Sequence, residues 1–174
     1  MHLSTKGPEG LDQSPSFDSA NRPVLNSMHD HILPVGLTAL IESGVWPTDN
    51  LNMQELKPLL GKKAAQALSA EDDRIVLMSP PFHTIADEVR GGNDFWTCDI
   101  TNVGEIYYEN ALIIADFGIG SDSPIILYYG NPECPSVMYL RWTGNGENIQ
   151  RKWIETHASF DDFTVAVGLD QIQR

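Results

Sequence analysis

The order of sequence patterns predicts an α+β fold: helices first, an antiparallel β-meander of about four to five strands, then a closing C-terminal helix. Three observations carry this expectation. Two apolar runs rich in β-branched and aromatic residues, 112–115 and 125–129, flank a turn built from Gly118, Gly120, Ser121, Asp122, Ser123 and Pro124. Upstream, Leu33, Leu37, Leu40 and Ile41 fall at helical spacing. Downstream, Ser159 stands three residues before Asp162, and Phe160, Phe163 and Val167 form one apolar stripe.

Taken in chain order, residues 1–22 are rich in Ser, Gly, Pro and Asp and read as a flexible leader, with one domain over 23–174. The helix from Leu33 tolerates Pro34 in its first turn and ends at Gly44; Val45, Trp46 and Pro47 follow as an apolar loop packing onto the same core. Asn52 caps a short helix carrying Met53, Leu56 and Leu59, and 63–68 forms another after Gly61. Residues 74–78 read as a strand stopped by Ser79, Pro80 and Pro81. Thr84 and Asp87 have capping-box spacing for a helix through Arg90, closed by Gly91 and Gly92. Residues 93–110 mix loop formers with Phe95, Trp96, Ile106, Tyr107 and Tyr108, and have no single reading.

The runs at 112–115 and 125–129 are then consecutive antiparallel strands. Gly118 and Gly120 are expected where the backbone needs positive φ or a close approach. In 136–142, Met138, Leu140 and Trp142 alternate with Val137, Tyr139 and Arg141. In 149–155, Ile149, Arg151 and Trp153 alternate with Gln150, Lys152 and Ile154.

Composition bounds the function. A chain of 174 residues, 41% apolar with four Trp, supports one core and no second full domain. No apolar run approaches the ~20 residues of a membrane span, and the N-terminus has no signal-peptide pattern, so a cytoplasmic protein without membrane contact is expected. Cys98 and Cys134 lie far apart without metal spacing and read as a reduced pair. The net charge is −13, and between residues 85 and 125 eight acids face Arg90 alone. Nucleic acid is a poor partner for such a surface, because phosphate binding needs Lys and Arg; a basic protein is a plausible one.

The motifs offer little chemistry. Asp116-Phe117-Gly118 has the letters of a kinase magnesium tripeptide, without the Gly-rich and His-Arg-Asp loops or the length for two lobes. Gly118-x-Gly120 and Gly144-x-Gly146 lack the strand–loop–helix setting of a phosphate cradle. The five histidines include the pair His29 and His31 and no HExxH, and His83 reads as a helix-entry residue. No serine has a nucleophile elbow. No catalytic residue, metal or cofactor is expected.

The stretch 112–125, Leu-Ile-Ile-Ala-Asp-Phe-Gly-Ile-Gly-Ser-Asp-Ser-Pro-Ile, is similar to the signature of the SUKH superfamily, which holds the yeast cell-wall-assembly regulator and many bacterial immunity proteins. In that family an aliphatic strand runs into Phe-Gly, then a Gly-Ser-Asp-x-Pro-Ile turn and a second strand ending near Asp-Tyr; Tyr128 and Tyr129 stand there in this chain, so the usual acid is absent. The signature residues are Phe117, Gly118, Gly120, Ser121, Asp122, Pro124, Trp142 and Trp153, with Pro135-x-Val137, Ser159-Phe160-x-x-Phe163, the 33–46 segment and Pro80 to Thr84 also resembling the family. The resemblance covers roughly 33–169 and implies a non-catalytic α+β binding protein. Bacterial members neutralise polymorphic toxins, often basic nucleases, by direct contact; regulatory or scaffolding modules of the cell-wall-assembly type are the alternative. For a protein partner, the expected contact residues are Asp94, Asp99, Glu105 and Glu109 with the interleaved aromatics Trp96, Tyr107 and Tyr108, since aromatic anchors inside a charged rim make interface hot spots. The competing reading places Trp96 and Tyr107 in the core.

Overall fold

The computed structural model describes residues 31–48, 64, 66, 68, 75–97, 106–117, 123–144 and 149–171. The leader, the helix expected after Asn52, and the turn residues Gly118, Gly120, Ser121 and Asp122 lie outside the described residues. Helix α1 (Val35–Glu42) is followed by strand β1 (Val76–Leu77), helix α2 (Ile85–Arg90), strands β2 (Ala111–Asp116), β3 (Pro124–Tyr128), β4 (Ser136–Thr143) and β5 (Gln150–His157), and helix α3 (Phe160–Val167). Short 3-10 turns occupy Asp94–Trp96, Tyr108–Asn110 and Leu169–Gln171. The five strands form one antiparallel sheet in the order β1-β2-β3-β4-β5, a plain meander in an α+β fold.

Both faces of the sheet are covered, which explains why β2 and β3 read as continuous apolar runs rather than alternating ones. Against one face lie Leu37 and Leu40 of α1, Trp46, and Phe160, Phe163 and Val167 of α3; Leu112, Ile114, Ile125, Leu127, Val137 and Tyr139 meet them from the sheet. The other face contributes Ala111, Ile126, Leu140 and Trp153, which pack with Ile85 of α2 and with Trp96. The apolar loop after α1 behaves as expected: Trp46 is fully buried, and its Nε1 donates to the Met78 carbonyl at 2.7 Å.

Two bulges set which side chain goes where. In β2, Ile113 pairs with Ile126 but Ala115 pairs with Ile125, so Ile114 is the extra residue. Ile114 and Ala115 consequently both join the α1/α3 core. The alternation then resumes shifted by one: Phe117 is buried in that core against the Tyr139 ring at 5.1 Å, while Asp116 lines a cleft on the α2 face. In β5, Val137 pairs with His157 and Met138 with Glu155, so Thr156 is extra; its hydroxyl donates to the Val137 carbonyl at 3.1 Å.

The helix ends follow local chemistry. Thr84 and Asp87 form the reciprocal box at the start of α2, with Thr84 N–H donating to Asp87 Oδ2 at 2.8 Å and Asp87 N–H to Thr84 Oγ1 at 3.1 Å. Ser159 Oγ accepts the Asp162 N–H at 3.1 Å and donates to the Asp162 carboxylate at 2.8 Å. Pro34 precedes α1 as its cap rather than standing in its first turn, and Gly44 follows the helix with φ 71°.

Candidate functional site

The α2 face is assembled from a strand that leaves the sheet and returns to it. β1 pairs with Ala115 and Asp116, and Met78 N–H still donates to the Ile114 carbonyl at 2.8 Å. The chain then turns away through Ser79, Pro80 and Pro81, with a cis Pro80–Pro81 bond. It rejoins β2 further along, where Ile113 N–H donates to the His83 carbonyl at 2.9 Å and Thr84 bridges to Leu112. α2 therefore starts from a residue pinned to the sheet. The detour, α2 and the Asp94–Trp96 turn enclose a cleft of about 320 Å³.

Its walls include Met78, Phe82, Phe95, Trp96, Ile113 and Pro124, and its polar groups are Ser79, His83, Glu88, Asn93 and Asp116. None of the described lining residues is Lys or Arg. Glu88 Oε2 accepts from Asn93 Nδ2 at 3.0 Å, and Asn93 Oδ1 accepts the Phe95 N–H at 3.1 Å, so one Asn ties the helix to the aromatic turn. On the same helix, Arg90 is engaged by Asp87, whose side chain is nearly buried. The one cation of α2 thus pairs with its capping carboxylate.

Beside the cleft runs a belt of rings. Trp96 stacks on Trp153 at 6.2 Å and 9°, meets Phe95 edge-on at 4.8 Å and Tyr108 edge-on at 6.1 Å. Arg151 lies 3.6 Å over Trp142 and 5.5 Å from the Phe95 centroid. Its Nε and Nη1 are buried without a hydrogen-bond partner, so the ring faces supply the negative potential that an acceptor otherwise would.

The residues expected at an interface divide. Asp94 and Glu109 are exposed, Tyr107 is 73% exposed, and Tyr108 is half-buried. Trp96, expected as a partner-facing anchor, is instead 4% exposed and holds the second core together, because its large ring fills the space between α2 and Trp153. Asp99 and Glu105 lie outside the described residues. The Trp96–Tyr108 pair brings the two 3-10 turns to one face, with Asp94 and Glu109 on them. Among the signature residues, Pro124 opens β3 opposite Asp116 and lines the cleft, and Trp142 and Trp153 belong to the ring belt. His83, Glu88, Asn93 and Asp116 were not singled out as a group from sequence; the register of β2 against β1 brings them together, and register is not visible in a single chain.

Among the described residues there is no group of three or more His, Cys, Asp or Glu arranged to hold a metal ion. No described helix is long and apolar enough to cross a membrane. Compared with family models, with characterised proteins and with solved structures, the chain returns no significant match.

Proposed function

We propose that this protein is a non-catalytic binding protein of SUKH type, an immunity protein that binds and neutralises a cognate basic toxin domain in the cytoplasm, without metal, cofactor or nucleic acid. The observation that carries this reading is the acidic α2 face. Glu88 and Asp116 line a ring-walled cleft, and Asp94, Glu109 and exposed Tyr107 lie on or beside the two 3-10 turns that the Trp96–Tyr108 contact joins, while Arg90 is engaged by Asp87 and Arg151 by Trp142. Nuclease toxins carry Lys and Arg to bind phosphate, so a surface of opposite sign meets them with steering and register.

The test is to search the neighbouring genes for a toxin domain and co-express it with this chain; the absence of one also overturns the reading. Restored growth, with a one-to-one complex of the purified proteins, is the expected result. Failure to bind that domain overturns the reading. Binding without rescue moves the protein to the regulatory or scaffolding class.

A further inference from the structure

The cleft on the α2 face has a chemical character of its own. Its lining combines the carboxylates of Glu88 and Asp116 with the rings of Phe82, Phe95 and Trp96, and among the described residues contains no Lys or Arg. Apolar walls lower the local dielectric, so two acids there hold a cation more firmly than two on an open surface. The volume of about 320 Å³ lies at the small end of ligand-binding clefts and suits one side chain better than a cofactor.

We propose that this cleft receives an arginine side chain presented by the protein partner, its guanidinium held by Glu88 and Asp116 against the aromatic wall. The inference rests on the protein-binding reading above and names the group the site takes. Guanidinium suits the lining better than ammonium for two reasons. Its planar fork matches carboxylate oxygens, and its weakly hydrated faces stack on rings. The neighbouring belt already accommodates one guanidinium in this way, that of Arg151 over Trp142 at 3.6 Å, and Arg151 is not part of the cleft lining. Asn93 orients the acceptor by donating to Glu88 Oε2, which fixes the carboxylate at the helix surface at no cost in charge. Asp116 reaches the cleft only because the Ile114 bulge shifts it off the α1/α3 face.

The experiment uses blocked tripeptides, acetyl-Gly-Arg-Gly-amide against the same peptide with citrulline, an uncharged isostere of arginine, and with lysine. Each is titrated into the ¹⁵N-labelled full chain while the Trp96 indole and the Glu88 and Asn93 amides are followed. Saturable shifts at these groups with the arginine peptide, weaker ones with lysine and none with citrulline are expected. Glu88→Gln, which keeps its size and its carbonyl acceptor for Asn93, should weaken the arginine peptide at least about tenfold with an unchanged melt, the loss of one charge-assisted hydrogen bond. Glu133→Gln, the same charge change on the exposed loop after β3, should leave the titration unaltered. Equal shifts with arginine and citrulline, or equal weakening by Glu133→Gln, overturn the proposal. The two readings fail separately. A toxin that binds Glu88→Gln as tightly as the parent removes the cleft from the interface and leaves the binding function intact. A cleft that takes the arginine peptide in a protein that binds no toxin leaves the cleft and removes the function.

Discussion

Arg151 brings a full charge into a wall of rings, where its Nε and Nη1 hydrogens meet no acceptor. A cation over a tryptophan is worth about 0.5–2 kcal/mol, while a buried donor left unmet costs about 1–3 kcal/mol. With two such donors unmet, the cost at least matches the gain, so the stem of Arg151 contributes more to stability than its charge. Arg151→Met should therefore unfold in denaturant at or slightly above the parent midpoint, whereas Arg151→Ala, which also removes the stem between Phe95 and Trp142, should lose about 1–2 kcal/mol. A Met variant as unstable as the Ala variant assigns the stabilisation to the charge. His157 gives a second test at this scale. Desolvation lowers its pKa below the ordinary 6.5 and outweighs Asp162, which raises it. The folded protein then binds fewer protons than the unfolded chain in the window just below 6.5, so stability rises with pH there and falls as pH drops through it. His157→Gln should flatten that part of a melting-temperature profile and leave the profile above pH 7 parallel to the parent's. Tyr129, by contrast, stays neutral throughout: burial pushes its hydroxyl well up, and it donates to the Ile32 carbonyl at 3.1 Å.

α2 is six residues long, far below the length at which a helix holds itself in water. It persists because Thr84 is both its cap and a bridge to Leu112, because Asp87 closes the box and takes Arg90, and because Ile85 is buried against the sheet. Asp87→Ala should cost about 1–2 kcal/mol and speed hydrogen exchange first at the α2 amides, before the β2 and β3 amides. Exchange that rises uniformly across the sheet contradicts the view of α2 as a separately pinned element. Both caps, the β2–β3 hairpin and the Phe160, Phe163, Val167 stripe were legible in the sequence, since each is set by residues within a few positions of one another. The length of β1 was legible only in part: Ser79, Pro80 and Pro81 mark its stop, yet just Val76 and Leu77 pair as strand. What could not be read depends on register. The Ile114 bulge separates Asp116 from Phe117 onto opposite faces, and nothing in the string Ile-Ile-Ala-Asp-Phe announces which residue is extra. The cleft inherits that ambiguity, since His83, Glu88, Asn93 and Asp116 come from three separate stretches of chain. The place of Trp96 was ambiguous for another reason: an aromatic among acids suits a hot spot and a core equally well until a second ring, here Trp153, is seen to cover it.

At the scale of the whole molecule, the sheet separates two layers with different properties. The α1/α3 side is the larger core, of aliphatic side chains with Phe, Tyr and Trp46, and the α2 side is a smaller one built around Trp96 and Trp153. A net charge of −13 acts over the Debye length, about 8 Å at physiological salt, and so governs encounter more than the final fit. With a basic toxin as partner, Asp94→Lys together with Glu109→Lys should slow association strongly at low ionic strength and progressively less as salt is added. The exposed ring of Tyr107 belongs to the other kinetic step: its truncation to Ala should leave association nearly unchanged and raise the dissociation rate, with no change in melting temperature. Trp96→Ala must behave differently again. With 4% exposure and three ring neighbours, it should lose about 3–5 kcal/mol of stability, and any loss of binding should track the unfolded fraction. Measuring association, dissociation and melts on these three variants in one salt series separates steering, anchoring and folding, because each moves a different observable. Association rates unchanged by the double Lys variant at low salt would place the toxin on another face. In that case the acidity of the α2 layer serves solubility, and the search for the interface shifts to the α1/α3 side, where Ile32 and Val35 are exposed near Pro132 and Cys134.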